Sequence, residues 1–280
     1  MNGTTELLRV DGLSIVPMAR RDMLLVNDVS FTLAAGRTTC IVGESGSGKS
    51  LTALALMGLL PPALQRLTGR VMFHGNDLTA YSSTQMQDVR GKRIGMIFQE
   101  PMTSLNPVLN VSYQIGESLT VHLGLTGKAL QTRVAALLEQ VGIAAERAGS
   151  YPDELSGGQR QRVMIAMSIA CEPAMLIADE PTTALDVTVQ AQILALLAEL
   201  KSRMNMGMLF ITHDFGVVAD IADDVAVMFR GQIVEMGAVD KVLGSPQHPY
   251  TRALLDCVPD VEGKKPLKPI DYAWLNEVAA

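Results

Sequence analysis

The chain has 280 residues, 48% of them hydrophobic, enough for a large buried core and too many for a disordered or fibrous class. Lys and Arg number 23 against 29 Asp and Glu, a formal charge of −6 that offers no basic footprint for nucleic acid. Cys40, Cys171 and Cys257 are far apart, build neither a disulfide framework nor a zinc spacing, and point to a reducing compartment.

The N-terminus carries Glu6 and Arg9 and lacks the basic-then-apolar order of a signal peptide. Period-2 apolar runs over residues 7–15, 23–33 and 38–42 predict three strands. A glycine-dense turn over 43–48 follows, then a helical pattern from Lys49 to Leu60. The most apolar stretch, 51–64, contains Pro61-Pro62 and falls short of the roughly 20 apolar residues that a membrane span needs. Residues 69–75 and 93–99 read as further short strands, and 100–164 as a mostly helical block. Within that block Leu130, Val134, Leu137, Leu138 and Val141 keep a 3.6 period, with Gly142 as the expected helix stop. Alternation then resumes with a strand at 175–178 and a helix face of Val189, Ile193, Leu196, Leu197 and Leu200. After these come a strand at 207–212 and a hairpin at 224–236 turning at Arg230-Gly231. Strands alternating with helices predict a mostly parallel sheet covered on both faces. The proline- and lysine-bearing tail from 258 to 280 is expected to be extended.

Two segments carry chemistry by their residue types. Gly43, Glu44, Ser45, Gly46, Ser47, Gly48, Lys49 and Ser50 fit G-x-x-x-x-G-K-[ST] between a predicted strand and a predicted helix. Glycines let backbone N–H groups turn inward around phosphate oxygens, and the helix N-terminus adds the positive end of a dipole. Lys49 adds a point charge, and the Ser50 hydroxyl can ligate Mg²⁺. The second segment is the apolar run 175–178, which delivers Asp179 and Glu180 at its C-terminal end, where open α/β sheets bind ligands. Two adjacent acids closing a buried strand call for a cation or a proton to manage their repulsion.

Leu155-Ser156-Gly157-Gly158-Gln159-Arg160-Gln161-Arg162 resembles the signature motif of ATP-binding cassette (ABC) ATPases. A serine and two glycines opening a helix also make an anion site on physical grounds alone. Other elements of that family follow in order: Gln99 resembles the Q-loop residue, Ala184-Leu185-Asp186 the D-loop, and Thr212-His213-Asp214 the switch histidine. The resemblance implies a P-loop ABC ATPase core with a mostly parallel sheet, an N-terminal antiparallel β subdomain and an inserted helical subdomain. It assigns residues 5–257 to that domain, with the insert at about 100–164. It implies ATP bound by the phosphate-loop residues, Leu51 and Gln99, and Mg²⁺ organised by Ser50, Gln99 and Asp179. Glu180 would be the general base, with His213 and Lys49 completing the catalytic set. Ser156, Gly157, Gly158 and Gln159 would act in trans, on ATP held by a different subunit.

Two further segments, 99–107 and 247–251 (Gln-His-Pro-Tyr-Thr), resemble the peptide-type importers, those for peptides, nickel, opines and glutathione. The implied partners are two transmembrane permease chains, a second and different ABC ATPase, and an extracytoplasmic binding protein. The implied location is peripheral, on the cytoplasmic face of a bacterial inner membrane. The alternative is a non-transport ABC ATPase in a soluble or nucleic-acid-linked complex. Two departures stand out. The family places an aromatic residue before the phosphate loop to stack on adenine, yet the first aromatic here is Phe31, and residues 16–23 offer only Met18, Arg20, Arg21 and Met23. The C-terminal region carries Cys257 alone, so no iron–sulfur cluster is expected.

Overall fold

The computed structural model describes residues 5–99, 104–183, 185–257 and 272. In chain order its elements are β1 (Glu6–Pro17), β2 (Val26–Ala34), β3 (Thr38–Val42), α1 (Lys49–Leu56), β4 (Leu64–Phe73), β5 (Asn76–Asp77), α2 (Ser83–Gln87) and β6 (Ile94–Ile97). Then come α3 (Val111–Leu123), α4 (Gly127–Gln140), α5 (Gly157–Ile169), β7 (Met175–Asp179), α6 (Val187–Met204) and β8 (Gly207–Thr212). The chain continues through α7 (Phe215–Ile221), β9 (Asp224–Phe229), β10 (Gln232–Ala238), α8 (Val239–Gly244) and α9 (Pro249–Asp256). No helix among the described residues is long and apolar enough to cross a membrane. By its internal contacts the chain divides into two compact units.

The first unit holds residues 1–8, 33–37 and 72–210. Its β6 and β7 run parallel, with Ile94 opposite Met175 and Ile97 opposite Ala178. Every residue of β7 is buried, which fits a strand covered on both faces. α5 lies so close to β6 that a Cβ on Gly95 would stand 2.2 Å from the Ser168 carbonyl oxygen, so only glycine admits this packing. The helical block predicted after Gln99 is present as α3, α4 and α5. α3 meets α4 where Gly116 faces Leu130, and α4 buries Val134, Leu137 and Leu138 as its period predicts.

The second unit holds residues 9–32, 38–71 and 211–280. Strands β10, β9 and β3 lie side by side in that order. β3 and β9 are parallel, Thr39 to Val42 pairing with Asp224 to Val227, whereas β9 and β10 form the expected antiparallel hairpin. Arg230 (φ +46°) and Gly231 (φ +85°) make its two-residue turn, both left-handed as such a hairpin requires. β2, β1 and β4 also neighbour one another in that order. In β2 the apolar side chains Val29 and Phe31 point inward and alternate with exposed neighbours. The helix predicted from Lys49 to Leu60 stops at Leu56, because Gly58 turns left-handed (φ +61°) ahead of Pro61-Pro62. The expected extended tail lies outside the described residues except for Tyr272.

Candidate nucleotide site

In the second unit the phosphate loop starts where β3 ends, and glycine is required at both its entry and its exit. A Cβ at Gly43 would lie 2.1 Å from the Met228 carbonyl oxygen. Gly48, at φ +105°, would put one 3.0 Å from the Leu25 carbonyl oxygen and 2.9 Å from Met228 Cε. Gly46 turns left-handed with open space around it. α1 then begins at Lys49 without a side-chain cap on its first turn, so its leading N–H groups and dipole end are not spent on a capping residue. Lys49 is buried, and its Nζ donates to the carbonyl oxygens of Gly43 and Glu44, both at 2.8 Å. The buried Ser47 hydroxyl has no hydrogen-bond partner, a costly state that a phosphate oxygen would relieve. Ser45 and Gly46 are exposed, and Ser50 and Leu51 half-buried. An uncapped helix start, a lysine and an orphaned hydroxyl together fit a polyphosphate.

In the first unit β7 ends at Asp179, buried to 5% exposure, and the chain turns at Glu180. Glu180 adopts φ +46°, a left-handed conformation costing a non-glycine residue about 1–2 kcal/mol. The turn is held by Thr183, whose N–H donates to the Glu180 carbonyl at 3.2 Å and whose hydroxyl donates to Glu180 Oε2 at 2.9 Å. Gln99 Nε2 donates to the same carboxylate oxygen at 3.3 Å. Two of the predicted site residues, Gln99 and Glu180, are thus brought together 81 residues apart in sequence. Gln99 does not close its strand as the sequence reading has it: β6 ends at Ile97, and Gln99 stands just beyond.

Ser156 caps α5 through a reciprocal capping box. The Gln159 N–H donates to Ser156 Oγ at 3.3 Å, and the Ser156 N–H donates to Gln159 Oε1 at 3.0 Å. Ser156 and Gly157 are exposed, and a Cβ on Gly158 would stand 2.8 Å from Val189 Cγ1 on α6. Asp186 caps α6, its Oδ1 accepting from the Val189 N–H at 2.9 Å. Ala184 of the D-loop and residues 100–103 of the peptide-importer segment lie outside the described residues. His213 follows β8 in the second unit and is exposed, at a bend where Thr212 Oγ1 accepts from the Asp214 N–H and Asp214 caps α7. Met18 and Met23, noted where a base-stacking ring was expected, are 58% and 45% exposed.

One contact to the phosphate loop is not marked by any sequence spacing. Tyr250, singled out only as part of a family marker, is completely buried, and its hydroxyl accepts a hydrogen bond from the Glu44 N–H at 3.2 Å. Burial pushes its phenol pKa up, and the neighbouring Glu44 carboxylate adds to the shift, so the hydroxyl stays neutral. A cavity of ≈ 150 Å³ opens beside the loop, lined by residues 44–47, Phe229, Arg230 and Tyr272.

Residues 26–183 match the family model described as ABC transporter. The chain belongs to the ABC transporter family. Residues 234–274 of this cassette match a second model, the oligopeptide/dipeptide transporter C-terminal region. The oligopeptide transport ATP-binding protein OppD of Bacillus subtilis is 51% identical over 262 residues, covering 92% of this chain and 73% of OppD. The glutathione import ATP-binding protein GsiA of Escherichia coli K12 is 50% identical over 280 residues, covering 95% of this chain; the cassette spans 44% of GsiA's length. Among solved structures, the ATP-binding cassette MJ0796 bound to ADP and Pi superposes with a TM-score of 0.75 at 24% identity, over 83% of this chain and 99% of that one. CbiO1 of Clostridium perfringens superposes with a TM-score of 0.74 at 27% identity, over 86% and 91%. The fold is therefore the α/β P-loop cassette that the resemblance implied.

Proposed function

We propose that this cassette is the ATP-binding and ATP-hydrolysing subunit of an ABC importer, powering uptake of peptides or a related small solute through separate permease subunits. The hydrolytic half of the reading is carried by one observation: Glu180, at the C-terminal end of a buried strand beside Asp179, has its carboxylate oriented by Gln99 and Thr183. A carboxylate held this way can take a proton from water. Lys49 and the loop amides not already engaged within the chain, as the Glu44 N–H is by Tyr250, bind the phosphates. By the family resemblance Ser50, Gln99 and Asp179 would hold Mg²⁺, which would supply charge neutralisation at the phosphates. His213 contacts the terminal phosphate. Ser156 to Gln159 cap a nucleotide bound on another subunit, and Asp186 belongs to that shared surface. Residues 5–257 form the ATPase domain, with the helical insert at 100–164 and the tail from 258.

The cargo class rests on the match of residues 234–274 and on relatives whose names state peptide or glutathione import. The partners are two transmembrane permease subunits, a second ABC ATPase of different sequence and an extracytoplasmic binding protein. The site of action is the cytoplasmic face of a bacterial inner membrane. Support for a protein partner comes from the helical block. There Tyr113 and Val121 on α3 are 58% and 71% exposed, beside a cavity of ≈ 560 Å³ between α3 and α4.

The test is Glu180→Gln, which is nearly isosteric but cannot accept the proton. Mg-ATP should bind with wild-type affinity while turnover falls by about 10²–10⁴-fold. Near-normal steady-state hydrolysis in that variant would refute the assignment of the base.

A further inference from the structure

The segment that matches the peptide-transporter C-terminal model reaches back to the phosphate loop through a short series of contacts. On β10, Glu235 accepts from the N–H groups of Gln247 (2.7 Å) and His248 (3.0 Å). Burial alone would raise its pKa, but these bonds hold it below the usual carboxylate range. His248 Nδ1 accepts from the Tyr250 N–H at 3.2 Å, and Pro249 occupies the first position of α9, a preorganised helix start. The Tyr250 ring is thereby driven inward, with its centroid 4.1 Å from that of Phe229 at the end of β9. At its far end the hydroxyl meets the Glu44 N–H.

That N–H belongs to the peptide between Gly43 and Glu44, and the other polar end of the same peptide, the Gly43 carbonyl, accepts from Lys49 Nζ at 2.8 Å. Tyr250 and Lys49 therefore grip opposite ends of one peptide plane. If the N–H loses its anchor, the plane is free to rotate and one of the two carbonyls that hold the ammonium turns with it. Gly43 offers no side chain to resist that rotation. We propose that Tyr250 is a positioning residue for nucleotide binding: its hydroxyl fixes the Gly43–Glu44 peptide and, through it, the Lys49 ammonium. This role rests on the phosphate loop being the nucleotide site. Tyr272 reaches the same residue by a different route, donating to the Glu44 carboxylate at 2.6 Å, and makes no bond to the peptide plane.

The experiment measures Mg-ATP binding, steady-state kinetics and thermal midpoint on the full chain as wild type, Tyr250→Phe, Tyr272→Phe and Lys49→Ala. Tyr250→Phe keeps the ring against Phe229 and removes only the hydroxyl. Its Kd and KM for Mg-ATP should rise about tenfold, with kcat at saturation within about twofold of wild type. Amide exchange at Glu44 should quicken, and Tyr272→Phe should leave the Kd within about twofold. A Tyr250→Phe protein with wild-type Kd and Glu44 exchange, while Lys49→Ala loses binding, overturns the positioning role alone. So does a variant whose midpoint and kcat fall together with Kd unchanged, since that is a purely structural effect. If Lys49→Ala binds Mg-ATP as wild type does, the nucleotide site itself has been misassigned.

Discussion

Two helix N-termini in this cassette carry anion-binding sequences, and the chain finishes them in opposite ways. α1 opens from Gly48 with no capping side chain, a buried lysine as its first residue and an orphaned serine hydroxyl in the loop before it. α5 opens from Ser156 with a complete capping box, so its early N–H groups are partly satisfied by Ser156 and Gln159 within the same chain. The first end is left incomplete by its own residues and fits a ligand held by this chain. The second is partly capped by its own residues and exposed, which suits a surface offered to a ligand bound elsewhere. Glycine has a different duty at each end: at Gly48 it permits a left-handed backbone pressed against Leu25, and at Gly158 it admits Val189 of α6.

The largest effect on this contrast should come from Gly48→Ala. The new Cβ meets backbone at 3.0 Å in a conformation that L-residues rarely adopt. Strain of about 1–3 kcal/mol should distort the loop and weaken Mg-ATP binding by about 5- to 150-fold, read by calorimetric titration. Retained affinity would mean that the loop's shape is not set at this residue. A smaller effect is expected at the other end. Ser156→Ala removes a helix cap worth about 1 kcal/mol and should lower the thermal midpoint by about 2–4 °C, while the isolated chain keeps its affinity for Mg-ATP. The smallest concerns pH. Burial lowers the His248 pKa below 6.5, outweighing the attraction of Glu235, so the folded state favours the neutral ring that caps α9. The contribution is complete above pH 6.5 and is lost as pH falls below it, since the unfolded chain takes the proton more readily. Protection of the α9 amides, measured against intrinsic exchange at each pH, should therefore fall between pH 7 and 5.5 while that of α5 does not. An equal loss of protection in both helices would contradict the assignment.

Legibility in the sequence followed burial and length. The run at 38–42 was readable to the residue because every side chain of β3 is buried, and the loop after it because its glycines answer to local sterics. β4 begins at Leu64, ahead of the expected 69, because its first residues are largely solvent-exposed and carry no apolar alternation. The helices α7, α8 and α9 span about two turns or fewer, too short to display a 3.6-residue period. α9 did carry a local signal, His248 as cap with Pro249 after it, but its contact with Glu44 joins residues 206 apart in sequence. No spacing rule reaches that far. The pairing of Gln99 with Glu180 was legible only as two motifs of one family, and the structure adds the hydrogen bond.

The central claim is that the phosphate loop binds nucleotide for its own chain while the signature helix serves another. Its most direct test is nucleotide affinity and turnover measured side by side in Lys49→Ala and Ser156→Arg. The account predicts that Lys49→Ala loses Mg-ATP binding, and that Ser156→Arg binds it as a monomer with wild-type affinity yet does not turn over. A Ser156→Arg monomer that cannot bind Mg-ATP, or one that hydrolyses it at the wild-type rate, would contradict the claim.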